Sequence, residues 1–222
     1  MAATIAQRLH ALLGKLYDVE MPCDIAEFLV SDRERLHGVH ACNDSRRNDE
    51  ELLIAESEQG AHLSLFIELA VLERLEAEDP MGRLTESNLR DYCTALEGVS
   101  HFLYATWRLE HNTPVSLLEL ETQAEVDKYA TTVFLLIHQR GGSFPAHVFA
   151  RLFERSGFDA RLNAEQLDRY STAHRSAARY CRYLERRFVK RGRAEVEALL
   201  RELRKFYRLA SAAKLQYAQA AM

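Results

Sequence analysis

Between Ser116 and His138 the chain carries Leu117, Leu118, Leu120, Ala124, Val126, Tyr129, Val133, Phe134, Leu135, Leu136 and Ile137. At about 3.6 residues per turn these side chains occupy most of a helix's circumference. A helix that is apolar on nearly every side must be surrounded by the rest of its own protein. Ser116 followed by Glu119 has the spacing of a capping box, and Pro114 marks a break just upstream. One narrow stripe departs from the pattern. Glu121, Glu125, Lys128 and Thr132 fall at i, i+4, i+7 and i+11 and therefore share one face.

A chain of 222 residues is long enough to bury one such helix in a single core, at most with an appendage. No run approaches the about 20 apolar residues that span a bilayer, so no membrane partner is expected. The first twenty residues read as an amphipathic helix interrupted by Arg8 and Lys15, without the apolar region of a secretory signal. Cys23, Cys42, Cys93 and Cys181 are scattered and form no CxxC pair, which suits reduced thiols in a cytoplasm. The net charge of −4 conceals two opposed parts. From Arg161 onward there are 15 Lys/Arg and 6 Asp/Glu, a net of +9, leaving −13 on the preceding residues. Such halves attract each other within one fold or advertise an anionic partner.

Taken in order, residues 3–16 read as a first helix and Asp24 as the cap of a short second one from Ile25 to Val30. Residues 31–50 are polar and irregular, the composition of a loop. The next segment admits two readings. As a helix it would set Glu58 and His62 at i, i+4. Gly60, and the period-two alternation of Ala61, Leu63, Leu65 and Ile67, favour instead a β-hairpin pairing about 51–57 with 61–67. A short helix from Glu68 stops at Asp79-Pro80, and Thr85 or Ser87 opens a long one to about Glu110. The linker His111–Val115 is short, so the helices 86–110 and 116–139 are antiparallel neighbours. Gly141-Gly142 ends the second, Pro145 opens another closed by Gly157, and Asn163 with Gln166 caps a basic helix. Its line Leu167, Tyr170, His174, Ala177, Cys181, Leu184, Phe188 has coiled-coil spacing. After an Arg191-Gly192-Arg193 turn, Val196, Leu199, Leu203, Phe206, Ala210 and Ala213 repeat that spacing.

Three groups of residues carry chemistry. The first is the polar stripe of the central helix together with Glu97 and His101. An antiparallel pair hinged near residue 113 sets His101 level with Glu125, and Glu97 level with Lys128 or Tyr129. Glu97, His101, Glu121 and Glu125 are the raw material of a carboxylate–histidine metal site. The paired Glu-x-x-His of di-iron bundles is missing, however, and Lys128 neutralises charge that a metal needs. A buried ion-pair network is the first expectation and a metal centre the alternative. The second group is Arg175, Arg179, Arg182, Arg186 and Lys190, a straight row on one helix face with Tyr180 and Tyr183 nearby. Guanidinium forks suit phosphates, although Glu185 interrupts the row and the acidic half of the chain is an available partner. The third is His37, His40, Cys42 and Asp44, which lack a second half with zinc spacing. His138 and His174 lie on apolar lines and read as core histidines. Gly98-Val-Ser100-His101-Phe102 lacks the second glycine of a nucleophile elbow, and no phosphate-binding or dinucleotide fingerprint occurs.

The sequence therefore predicts a mainly α, single-domain helical bundle of residues 1–222, with a small β-hairpin near 51–67 and a C-terminal helical hairpin. Its parts are residues 1–50, 51–78, 86–139 and 145–222. The expected role is a non-catalytic, cytoplasmic interaction or scaffold protein without a cofactor, whose partner is another protein or a second copy joined along the coiled-coil-like seam. Polyanion binding by the arginine row and metal binding in the bundle are the alternatives.

Overall fold

The computed structural model describes residues 2–21, 23–33, 49–57, 60–142, 147–154, 162–189 and 195–221. The first helix, α1 (Ile5–Tyr17), opens on a capping box in which Thr4 and Gln7 satisfy each other's backbone N–H. Asp24 accepts from the Ala26 N–H, but only a single 3₁₀ turn, Ile25–Glu27, follows it. The helix expected to reach Val30 is replaced by a short strand, β1 (Leu29–Val30). Its backbone is taken by the sheet, where the Leu65 N–H donates to the Phe28 carbonyl at 2.9 Å.

The hairpin is present. Strands β2 (Glu50–Ser57) and β3 (Gly60–Ile67) pair antiparallel from Glu50↔Ile67 to Ser57↔Gly60, and β1 adds in parallel beside β3. His62 therefore lies on a strand opposite Ala55, as the hairpin reading expects, and Glu58 lies outside the described residues. Leu65, Phe66 and Ile67 are buried. Helix α2 (Leu69–Ala77) ends just before Asp79-Pro80.

Helices α3 (Leu89–Glu110) and α4 (Leu117–Gln139) form the antiparallel centre. The Ser116 hydroxyl accepts from the Glu119 N–H at 3.2 Å, whereas the Glu119 carboxylate turns inward to Tyr104 and Arg108. Gly141 and Gly142 leave α4 with φ of 62° and 93°, a left-handed exit that glycine adopts without strain. Leu120 and Leu135, with 5% and 6% of their surface exposed, fix α4 to its surroundings. Leu120→Ala should cost about 2–5 kcal/mol in urea unfolding. A loss below about 1 kcal/mol would mean that α4 does not organise the core.

The basic part begins with α5 (Ala164–Leu184), opened by the Asn163/Gln166 capping box and extended by a π-helical turn, Glu185–Val189. It continues with α6 (Val196–Tyr207) and α7 (Ser211–Ala220). The sequence pattern carries the second C-terminal helix on to Ala213; the structure ends it at Tyr207. The Tyr207 ring stacks on Tyr17 at 4.1 Å and meets Tyr104 edge-on at 4.9 Å, anchoring the end of α6 in the core. The chain then reverses so that α7 runs beside α5 and touches α4. The middle of the apolar line expected to form a dimer seam is filled from within the chain, while Leu167 at its start is 43% exposed. Ala177, Cys181 and Leu184 are fully buried, and Tyr180 stacks on Phe206 at 4.0 Å. No described helix is long and apolar enough to cross a membrane.

Candidate metal centre

Three buried polar contacts and one half-buried one set the register of the central pair. The Tyr92 hydroxyl donates to Thr131 at 2.7 Å, Ser100 to Asp127 at 2.6 Å, Tyr104 to Glu119 at 2.6 Å, and Lys128 to Glu97 at 3.1 Å. The last is the pairing the sequence predicts. His101 is not paired with Glu125. Its Nε2 lies 3.5 Å from Oε2 of Glu121, and its Nδ1 lies 3.7 Å from Oε2 of Glu50. The register brings His101 to Glu121, and Glu125 is engaged instead by Lys128 and by His174 of α5 at 2.8 Å. Both His174 nitrogens face acceptors, Glu125 and the Phe153 carbonyl, an environment that favours the protonated ring. Burial alone would lower its pKa, but the Glu125 carboxylate outweighs burial and raises it.

Glu50 reaches this place because residue 98 is glycine. A Cβ there would stand 3.0 Å from the Leu65 side chain and 3.1 Å from Oε2 of Glu50. Glycine inside a helix costs about 1 kcal/mol relative to alanine, and here it admits the hairpin to the helix surface. Gly98→Ala should therefore destabilise the protein by about 1–3 kcal/mol, the opposite of its effect in an exposed helix. A melting temperature at or above that of the parent would contradict this packing.

Glu97, His101 and Glu121 each offer one ligand atom, and the three atoms lie within 4.8 Å of one another. His101 and Glu121 are buried and Glu97 is half-buried. The His101 Nε2 and the Glu50 Oε2 are buried without a hydrogen-bond partner among the described residues. Both carboxylates also face cations: Lys128 lies 3.1 Å from Oε2 of Glu97, and Arg169 lies 3.8 Å from Oε1 of Glu121, the oxygen not facing His101. Burial pushes the Glu97 carboxyl up to about 7, with Lys128 opposing and Glu50 assisting. For His101 burial acts downward, yet Glu121 and Glu50 together hold the imidazole well above its ordinary value. Glu125 behaves oppositely: burial raises it, but Lys128 and His174 bring it down to about 2. Burial raises the Tyr170 phenol too, reinforced by Glu121, Glu97 and Glu50.

A second polar system lies deeper. Asp127 accepts from Ser100, from Gln123 at 2.7 Å and from Tyr17. Lys214 of α7, fully buried, donates to Gln123 and to Tyr104 at 2.6 Å each, and Tyr104 passes the chain on to Glu119. The hydroxyl, amide and amine donors named here each meet an acceptor, as in a structural network, while Oε2 of Glu119 at its end has no hydrogen-bond partner among the described residues.

Of the arginine row, Arg182 pairs with Glu154 at 2.7 Å and stacks over Phe149 at 3.7 Å. Arg175 is exposed and bonds Thr172, and Arg179 and Arg186 are exposed. Lys190 lies outside the described residues, as do His37, His40, Cys42 and Asp44. His138 is exposed rather than a core residue, because it sits where α4 emerges at its C-terminal end. Sequence reasoning missed Glu50, Arg169 and Tyr170. They reach the site only by tertiary packing of a strand and a distant helix, and no spacing within either segment signals that. The chain matches no protein-family model, no curated protein and no solved structure.

Proposed function

We propose that the protein binds a divalent transition-metal ion in its helix bundle, with Glu97, His101 and Glu121 as ligands. The observation that carries this reading is the His101 Nε2, buried without a hydrogen-bond partner among the described residues and 3.5 Å from Oε2 of Glu121, in a residue clustered with Glu97 and Glu121. The opposite nitrogen lies 3.7 Å from Glu50, beyond hydrogen-bond distance but on the side from which an outer carboxylate would orient a metal-bound histidine. One imidazole and two carboxylates suit manganese, iron or zinc. Three protein ligands leave coordination positions open, as in catalytic rather than structural sites. Protons on His101 and Glu97 would be exchanged for the ion, and Lys128 and Arg169 would hold the carboxylates from behind. The scaffold role would rest on exposed apolar side chains such as Leu167 and Val196, which identify no occupant, whereas the buried cluster specifies its ligand type.

Calorimetric titration of chelator-stripped protein with Mn²⁺, Fe²⁺ and Zn²⁺ tests it. One ion should bind per chain with proton release, and His101→Ala and Glu121→Gln, checked for folding by circular dichroism, should lose that binding. Absence of binding in the parent, or unchanged binding in both variants, would reduce the cluster to an internal ion-pair network.

A further inference from the structure

Arg179, Arg182 and Arg186 line one side of a groove of about 660 Å³ whose other walls include Phe149, Tyr183 and Gln219. The three arginines follow at i, i+3 and i+7, so each neighbouring pair repels along the helix. Only Arg182 has an acidic partner among the described residues, Glu154. Glu185, the acid nearest in sequence, is 7% exposed and buried away from the row. Arg182 is also fixed in place by stacking on Phe149. One guanidinium is thus pre-oriented, two are free to fold onto a ligand, and a half-buried tyrosine lies beside them. Arg175 extends the row by one further turn beyond the groove.

We infer that this groove binds the phosphate backbone of single-stranded nucleic acid. Forked guanidiniums meet phosphate oxygens in bidentate pairs, and an aromatic ring in a basic groove gives a base a stacking surface. The continuation of the row past the groove favours a linear polyanion over a compact phosphorylated molecule. A shape-read duplex would not need a recessed ring. The inference shares no residue with the metal centre and stands or falls separately from it.

The test is a titration of the full chain with a labelled oligothymidylate of about 16 nucleotides, over a range of salt. Three neutralised phosphates predict a slope of log K against log salt near about −2. Arg179→Gln with Arg186→Gln should reduce that slope by about 1.4, and Tyr183→Ala should weaken binding about 5- to 150-fold without changing it. The arginine variant alters only exposed side chains, so it keeps the test decisive if the tyrosine variant fails to fold. No binding at low salt, or an unchanged slope in the arginine variant, overturns the inference. Equal binding of duplex DNA or heparin, with no effect of Tyr183→Ala, overturns it in favour of a generic polyanion surface. Displacement of the oligomer by a mononucleotide at the same phosphate concentration overturns it in favour of a small phosphorylated ligand.

Discussion

Asp127→Ala is expected to destabilise the fold by about 3–5 kcal/mol, measured by urea unfolding with the parent's slope retained. Asp127 is 1% exposed and is the common acceptor for Ser100, Tyr17 and Gln123, three donors from α3, α1 and α4 itself. Alanine leaves all three in a dry interior, where each unmet group costs about 1–3 kcal/mol, and the costs do not simply add. A loss below about 1 kcal/mol would mean that these hydroxyls find other acceptors. The same residue makes stability depend on pH. Burial pushes its carboxyl up to about 6, against the downward pull of its hydrogen bonds. A raised folded value contributes stability that is present at low pH and fades as pH rises from the ordinary 3.8 through about 6. Asp127→Asn should lack that part of the pH 4–7 profile.

Lys214→Ala should cost about 3–5 kcal/mol, whereas Lys214→Met should lie within about 1 kcal/mol of the parent. The lysine is fully buried against Tyr104, with its Nζ 3.9 Å from that ring centre, and near Phe206 and Tyr207. Both substitutions free Gln123 and Tyr104 and relieve the burial of the amine, but alanine also opens a cavity at the foot of α7, which methionine fills. Burial depresses the Lys214 pKa well below the usual lysine range, more than Glu119 and Asp127 restore it. A depressed folded value gives stability that is present at high pH and is lost as pH falls from the ordinary 10.5 through the folded value. The difference between parent and Lys214→Met across pH 7–10 reports this contribution, together with any change in the Tyr104 phenol that loses the amine. Two variants equally damaged would show that the amine, not its stem, holds α7.

The parts of the molecule legible in the sequence are those fixed by local periodicity. The central pair follows from apolar lines joined by a short linker, and the hairpin from an alternation that a glycine made incompatible with a helix. The polar stripe of α4 also stays together: Glu121, Glu125 and Lys128 all engage α3 or α5. What they engage was less legible. A hinge at residue 113 gives Glu97 its partner, yet it cannot choose between Glu121 and Glu125 for His101. That choice is made by His174 from a helix some fifty residues away and by Glu50 from the sheet. A second row was readable and went unread. Glu119, Gln123, Asp127 and Thr131 recur every fourth residue and are all buried. They disappear into a helix judged by its hydrophobic majority, although a polar row at constant spacing is itself a signal of an internal network.

The most direct test of the proposed metal centre is anomalous scattering from crystals grown with Mn²⁺ or Zn²⁺. The account predicts one strong peak among Glu97, His101 and Glu121, with ligand distances of about 2.0–2.2 Å and Nδ1 of His101 still directed at Glu50. A map without density there, with Lys128 and Arg169 closing over the carboxylates in the presence of saturating metal, would contradict it.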